Sequence, residues 1–278
     1  MILAASSAEA RQTRKRDSAG ETGFWRTTFI GTDAGVQGVV RMPEVPEPES
    51  AALYPVAFLI ELDPNAVLGQ HFHRASQFQL FVAGTGRLGK HAVQGVFVHY
   101  ANAYSAYGPV CADSGGLHFF TLRDAWDPGA RFLPNAIAEL RAAKGKPRQA
   151  YAGLTPVASA EDLVGKTDAS CEALLQSLSD GLGAWLYRLP AGATVEGADP
   201  RSGGGQYWVV QAGNLQPVGG VPLPPLSCVF VSSDEVLFAA EAGPGGCEVL
   251  CLQFPIRMAT RQEGNDKCTT AAQGSDVS

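Results

Sequence analysis

Two histidines separated by one residue are the clearest candidates for chemistry in this chain. His71 and His73 lie in the stretch GQHFHRASQFQLFVAG, residues 69–84. Alternate side chains of a β-strand point to the same side, so both imidazoles face one direction. Imidazole nitrogen is a good ligand for divalent transition metals. The spacing therefore predicts one divalent ion, whether iron, manganese, nickel, copper or zinc, bound by His71 and His73.

The other histidines occur close to this pair. The chain has five histidines, and all of them fall between residues 71 and 118. His99 lies at the end of a predicted strand that should reach the same end of the fold. We consider it an additional ligand or a proton shuttle, and the alternative is that its ring nitrogens cap a turn.

The strands that must position these histidines belong to a unit that occurs twice. QFQLFVAG at 77–84 recurs as QYWVVQAG at 206–213, and LHFFTLR at 117–123 is matched with EVLCLQF at 248–254. Apolar residues that alternate and then break at turn residues indicate antiparallel strands of a barrel or jelly roll. We therefore predict an all-β protein made of two jelly-roll barrels.

Two helices, at about 134–145 and 169–181, are predicted between the repeats and would join the barrels. The predicted division of the chain is a disordered N-terminal tail (1–24), an N-terminal barrel with the metal site (25–128), a helical linker (129–182), a C-terminal barrel (183–257) and a disordered C-terminal tail (258–278).

The stretch around the histidine pair resembles the first signature of the cupin superfamily, in which HxH is followed by a glutamate and then a glycine. His71 and His73 match the two metal histidines and Gly84 matches the glycine, while Gln77 stands in the place of the glutamate. The resemblance implies a two-barrel cupin, or bicupin, with Gln77 as the third metal ligand. An amide ligand would leave the ion more of its positive charge, which favours Lewis acid chemistry over oxygenation.

The second cupin signature is faintly visible at residues 94–110, QGVFVHYANAYSAYGPV. Matching VFV there with VFV at 229–231 places His99 at the proline position of the signature and Tyr104 at its last histidine. Another register offers Tyr107 instead. The resemblance therefore implies His99, Tyr104 and Tyr107 as candidate catalytic residues or further ligands.

The second repeat lacks the histidines. Pro200 and Ser202 lie near the places where they are expected. The resemblance thus implies a degenerate C-terminal barrel that supports the first or completes an interface, and a homodimer is expected.

Composition restricts the partners. A formal net charge of −6 gives no general reason to expect binding to nucleic acid or to anionic lipid. No apolar run approaches the ~18 residues of a membrane span, and the first residues lack the apolar segment of a secretory signal. Six cysteines without a CxxC pair indicate reduced thiols. We expect a cytoplasmic protein.

The combined prediction is a metal-dependent cupin enzyme that acts on a small oxygen-rich or aromatic organic acid, as an isomerase, decarboxylase, lyase or dioxygenase. The alternative is a non-catalytic bicupin that binds or senses a small molecule. A purely structural dimeric module is a third possibility, which the histidine cluster disfavours.

Overall fold

The computed structural model describes residues 1–31, 40–41 and 53–257. The disordered C-terminal tail predicted at 258–278 lies outside these residues. None of the helices in the described part of the chain has the length and hydropathy needed to span a bilayer.

The described residues form sheets with few and short helices, which confirms the predicted all-β class. The helices are α1 (Ser7–Ala10), α2 (Ile137–Ala142) and α3 (Ala160–Val164), and 3-10 turns lie at Arg11–Thr13 and Pro200–Ser202. The strands are, in chain order, β1 (Ile2–Ala5), β2 (Lys15–Ala19), β3 (Thr22–Gly31), β4 (Val40–Arg41), β5 (Val56–Leu62), β6 (Val67–Leu68), β7 (His71–Phe72), β8 (Gln77–Leu88), β9 (His91–Gln94), β10 (Val96–Ala101), β11 (Val110–Arg123), β12 (Arg131–Phe132), β13 (Gln149–Thr155), β14 (Ser170–Leu175), β15 (Gly183–Leu189), β16 (Thr194–Glu196), β17 (Gln206–Pro217), β18 (Cys228–Val231) and β19 (Ala239–Gln253).

Two large sheets contain most of these strands. The N-terminal sheet has the hydrogen-bonded order β13-β10-β8-β11-β5-β3-β2, and β4, β6 and β9 attach to β3, β11 and β8. The C-terminal sheet has the order β1-β18-β17-β19-β15-β14, and β16 attaches to β19. β7 and β12 form a separate pair. In each large sheet two long strands, β8 with β11 and β17 with β19, pair antiparallel near the centre.

The internal repeat is visible in this pairing. Leu117 lies opposite Gly84 in the N-terminal sheet, and Cys247 lies opposite Gly213 in the C-terminal sheet. The counterpart of Leu117 is therefore Cys247, so the predicted match of 117–123 with 248–254 is one residue too far. Sequence similarity alone did not fix the register, because alternating apolar residues look alike after small shifts.

The buried apolar side chains fall into three clusters. One draws its members from the N-terminal sheet and includes Phe81 and Phe119, and another draws them from the C-terminal sheet and includes Trp208. The third combines residues of both sheets, among them Phe78 and Tyr207. The two sheets therefore share a core, because apolar surface of each is removed from water by the other.

The first residues form regular structure in place of the predicted disordered tail at 1–24. β1 pairs with the edge strand β18 of the C-terminal sheet, and β2 pairs with β3. Ala5 and Ala10 are buried in the cluster that the sheets share. Small residues in a polar stretch give only a weak indication of a strand. The pairing with an edge strand is therefore visible only in the tertiary structure.

The predicted helical linker also differs from the structure. The region at 134–145 contains the shorter helix α2, but 169–181 contains the strand β14 instead of a helix. β14 pairs with β15 at the edge of the C-terminal sheet. Tertiary pairing thus overrides a helical spacing of apolar residues, as is common for short segments.

Gly84 should be irreplaceable for stability. Its φ is +80°, and an added Cβ would lie 2.1 Å from the carbonyl oxygen of Gly116. We expect Gly84→Ala to lower the free energy of unfolding by at least about 2 kcal/mol, because left-handed strain and the backbone clash add. Urea unfolding measures this change.

Gly115→Ala is the matched control, because a Cβ on Gly115 meets nothing within 4 Å. Gly213→Ala tests the equivalent position of the second repeat, because the added Cβ there lies 2.1 Å from the carbonyl oxygen of Gly246. Equal stability of the Gly84→Ala and Gly115→Ala proteins would contradict the steric argument.

Candidate functional site

The two histidines lie together in the interior with defined tautomers. Both side chains are buried, and their ring centroids are 5.3 Å apart. The Nδ1 of His71 lies 2.7 Å from the carbonyl oxygen of Gly69, and the Nδ1 of His73 lies 2.8 Å from Oδ1 of Asp127. These oxygens accept hydrogen bonds, so each Nδ1 carries the proton and each Nε2 keeps its lone pair.

Tyr107 closes the site beside His71. The backbones of these two residues exchange hydrogen bonds, N to O, of 3.1 and 2.9 Å. The tyrosine hydroxyl lies 2.9 Å from Nε2 of His71 and accepts an N–H of the Gln77 amide. Since Nε2 has the lone pair, the hydroxyl donates to it.

Tyr104 meets the histidine segment through its backbone. Its backbone N–H donates to the carbonyl of His73 at 2.7 Å, and its ring packs near Phe72 at 5.7 Å. Gln77 and Gln206 are equivalent residues of the two repeats. Gln77 lies opposite Ala101, and Gln206 lies opposite Val231, so the residue equivalent to Val231 is Ala101 and not Val98. The VFV match that selected Tyr104 is therefore wrong by three residues.

Arg123, which the sequence analysis did not select, occupies the centre of the site. It lies directly opposite Gln77 on the paired strands β11 and β8, and its Nε donates to Oε1 of Gln77 at 3.0 Å. A guanidinium has donors only, so it holds the amide oxygen of Gln77 towards itself. Its Nη2 lies against the His73 ring, 3.0 Å from Nδ1 and 3.4 Å from Nε2. The Gln77 oxygen therefore already accepts a hydrogen bond from a positively charged side chain.

Asp127 is the second residue that the sequence analysis missed. Its carboxylate accepts backbone N–H groups of Arg74 and Gly129, each at 2.8 Å, and lies 3.4 Å from Nη1 of Arg123. Burial raises the pKa of Asp127, but the Arg123 charge and the hydrogen bond from His73 outweigh it and hold the pKa well below its usual range. The signal in the sequence was the charged run RDAWD directly after an apolar strand, at residues 123–127.

The imidazoles are neutral near pH 7. Burial lowers the pKa of His71 to about 3, with a contribution from His73. Burial and then the Arg123 charge lower the pKa of His73 to about 4. Burial also raises the pKa of Tyr107, so its phenol keeps its proton. The site therefore holds two neutral imidazoles and a neutral phenol beside one buried ion pair.

His99 lies next to the site but is used by its own neighbours. It is fully buried, and its ring nitrogens lie 2.8 and 3.2 Å from the side-chain oxygens of Gln79 and Gln149. The centroid of its ring lies 4.9 Å from that of Tyr107 and 4.8 Å from that of Tyr151, on which it stacks. Both nitrogens point to these amides, so the structure places His99 in the supporting layer around Tyr107.

A cavity of about 310 Å³ adjoins these polar groups. This volume is at the lower end of the ~300–1,000 Å³ typical of small-molecule sites. His71, His73, Tyr107 and Arg123 line one part of it. Aromatic side chains form much of the remaining wall, namely Phe24, Tyr54, Phe58, Phe119 and Trp126.

A divalent metal at this site would need the two Nε2 atoms and the Gln77 oxygen as ligands. The two Nε2 lone pairs are of the right type, but that of His71 already accepts the Tyr107 hydroxyl. However, the Gln77 oxygen accepts from Arg123, and the guanidinium charge beside His73 opposes a second cation. Within the described ranges, three or more His, Cys, Asp or Glu residues do not come together in a group that could hold an ion. In this arrangement, the side chains do not fit a tightly held metal.

Comparisons with known proteins establish the fold. No protein-family model and no curated protein matches the sequence. Three similar solved structures are a nickel(II) complex of the bacterial pirin YhhW from Escherichia coli (14% identity, 92% of this chain, 100% of that chain, TM-score 0.54), Bacillus subtilis oxalate decarboxylase with its Mn(II) centres (11%, 92%, 78%, 0.55) and a formate complex of Lactobacillus farciminis oxalate decarboxylase (12%, 91%, 86%, 0.55). Pirin and oxalate decarboxylase are cupins. The chain therefore has the all-β cupin jelly-roll fold.

Acid should destabilise the protein. The folded-state pKa values of His71, His73 and His99, about 3, 4 and 3, lie below the ordinary 6.5. The unfolded chain therefore binds protons that the folded chain excludes, and stability falls as the pH falls below about 6.5. Each histidine contributes up to about 1.4 kcal/mol per pH unit.

Urea unfolding at pH 7, 6 and 5 measures this slope. His99→Gln should make it shallower by one proton, because that histidine no longer titrates on unfolding. A free energy of unfolding that is the same at pH 7 and pH 5 would show the prediction to be wrong.

Proposed function

We propose that the cavity binds a small organic acid, with the acid's carboxylate on Arg123. The observation that carries this proposal is a buried guanidinium that lines the cavity beside two neutral imidazoles. A guanidinium has five N–H groups, more than its contacts with Gln77, His73 and Asp127 use. Planar guanidinium groups suit bidentate binding of carboxylates.

The neighbouring groups favour an acid that also carries hydroxyl groups or an aromatic ring. Nε2 of His71 already accepts the Tyr107 hydroxyl, but Nε2 of His73 is a neutral acceptor that suits an O–H donor of a ligand. The guanidinium of Arg123 lies over the ring of Phe58 at 5.6 Å, and further aromatic rings line the cavity. A flat ring can pack against such walls. This proposal takes the two sheets as two cupin barrels, of which the N-terminal one holds the site.

A screen of hydroxy acids and aromatic hydroxy acids by ligand-observed NMR, followed by calorimetry, tests the proposal. Arg123→Met should weaken binding at least about 30-fold, because removing one member of a buried charge pair costs about 2–5 kcal/mol. Arg148→Met is the control, since Arg148 pairs with Asp180 and does not line the cavity.

Arg123→Met also removes a partner of Asp127, so a second measurement keeps the test independent of folding. The carboxamide of each acid that binds should bind the unchanged protein much more weakly than the acid does. Failure of every acid to bind, or equal affinity for acid and amide, would refute the proposal.

The second candidate is the metal-dependent cupin enzyme of isomerase, decarboxylase, lyase or dioxygenase type, with the ion on His71, His73 and Gln77. It is favoured by the way Gly69 and Asp127 orient the histidines, because metal-binding histidines usually donate their other N–H to such oxygens. It is also favoured by the nickel and manganese in the similar structures. It requires the Gln77 oxygen to turn away from Arg123. A cytoplasmic location and a homodimer stay predictions from the sequence.

Elemental analysis of the purified, untagged protein separates the two candidates. Organic acid binding on Arg123 predicts little metal per chain and an unchanged content in the His71→Ala/His73→Ala double variant. Near-stoichiometric iron, manganese, nickel, copper or zinc that disappears in the double variant would establish the metalloenzyme instead.

A further inference from the structure

We infer that the C-terminal sheet and the segment directly after it position the charged groups of the site, through Tyr207 and Arg257 respectively. Neither residue lines the cavity. Each bonds to the segment 123–127, which begins with Arg123 and ends with Asp127. As a statement about ligand binding, this inference rests on the proposed function, but its structural part can be measured without a ligand.

Tyr207 fixes the backbone of Arg123. Its hydroxyl lies 2.8 Å from the carbonyl oxygen of Arg123 and 3.0 Å from that of Val56. Val56 and Arg123 are opposite residues on the paired strands β5 and β11. The single O–H of Tyr207 thus lies between two carbonyl oxygens on neighbouring strands of the N-terminal sheet.

In the described part of the chain, the hydroxyl of Tyr207 bonds to these two carbonyls alone. Tyr207 is fully buried in the cluster that both sheets share, and its ring packs on Phe230 and Phe254 at 5.0 and 6.2 Å. A phenylalanine would supply the same ring, and a buried hydroxyl is costly unless it is hydrogen-bonded. The contribution of the Tyr207 hydroxyl is therefore its hydrogen bonding to the carbonyls of Val56 and Arg123.

Arg257 provides a second anchor one residue further along. Its Nε donates to Oδ2 of Asp124 at 2.9 Å, and its Nη2 donates to the Asp124 carbonyl. The Asp124 side chain is 7% exposed and follows Arg123 directly. The two anchors together hold the beginning of the segment that carries both charges of the site.

Placement of this segment determines the network in the cavity. Arg123, at the start of the segment 123–127, bonds to the Gln77 oxygen. Asp127, at its end, bonds to His73. Binding groups must be held within ~0.5 Å of their working positions, and a supporting layer of packing and hydrogen bonds does this. The C-terminal sheet is therefore part of that layer.

Tyr207→Phe in the full-length chain tests the inference. The first readout is the exchange of the Arg123 Nε proton with water, followed by nitrogen-15 NMR in the absence of ligand. In the unchanged protein, burial and the bond to Gln77 protect this proton. We expect exchange to be about tenfold faster in the variant, the scale set by the loss of one hydrogen bond. Arg257→Met should accelerate it as well.

The second readout is affinity for an acid found in the screen, which should fall by about fivefold to tenfold. Tyr187→Phe is the matched control: Tyr187 is a buried tyrosine of the same sheet, it packs on Trp208, and it belongs to the cluster drawn from the C-terminal sheet. Exchange at Arg123 in Tyr207→Phe that equals exchange in Tyr187→Phe would overturn the inference.

The outcomes separate this inference from the proposed function. If no acid binds the unchanged protein, the proposed function fails, while the exchange rates still decide whether Tyr207 positions Arg123. If acids bind and exchange at Arg123 does not respond to Tyr207→Phe, the positioning role fails alone.

Discussion

The buried ion pair of Arg123 and Asp127 is the constraint on which the site depends. A charge taken out of water must be paired and hydrogen-bonded, or it destabilises the fold. Asp127 therefore accepts a hydrogen bond from Nδ1–H of His73, and Arg123 donates one to the oxygen of Gln77. The amide is then turned with its N–H groups towards Tyr107. One charge pair thus sets the tautomer of an imidazole, the orientation of an amide and the donor direction of a phenol.

The C-terminal sheet shows what the same position looks like without the charge. Gln206 and Gln253 occupy the places of Gln77 and Arg123 in the pairing of the strands, and Gln206 donates to Gln253 at 2.7 Å. The amide of Gln253 also donates to the hydroxyl of Ser202 at 3.2 Å. These neutral amides are satisfied by each other and by neighbouring neutral groups, and they require no buried carboxylate. The difference between the two copies is therefore electrostatic more than architectural.

The fold by itself does not choose the chemistry, because one scaffold serves many reactions. The similar structures include nickel and manganese proteins, whereas this chain places a guanidinium beside its histidine pair. A permanent cation and a bound metal ion both attract carboxylates, but they repel each other at short distance. The function follows from which of the two the site holds, and the geometry of Arg123 favours the guanidinium.

The sequence by itself determined the all-β class and the repeat, because alternating burial is recorded residue by residue along a strand. The HxH spacing also predicted one site for His71 and His73, although the strand there ends at Phe72. The sequence did not identify Arg123, which meets Gln77 from 46 residues away. It did not choose Tyr107 over Tyr104, and it predicted a tail at 1–24 and a helix at 169–181 where edge strands form. Those features depend on which distant strand lies alongside and in which register. Only the tertiary structure decided them, because pairing partners leave no trace in local periodicity.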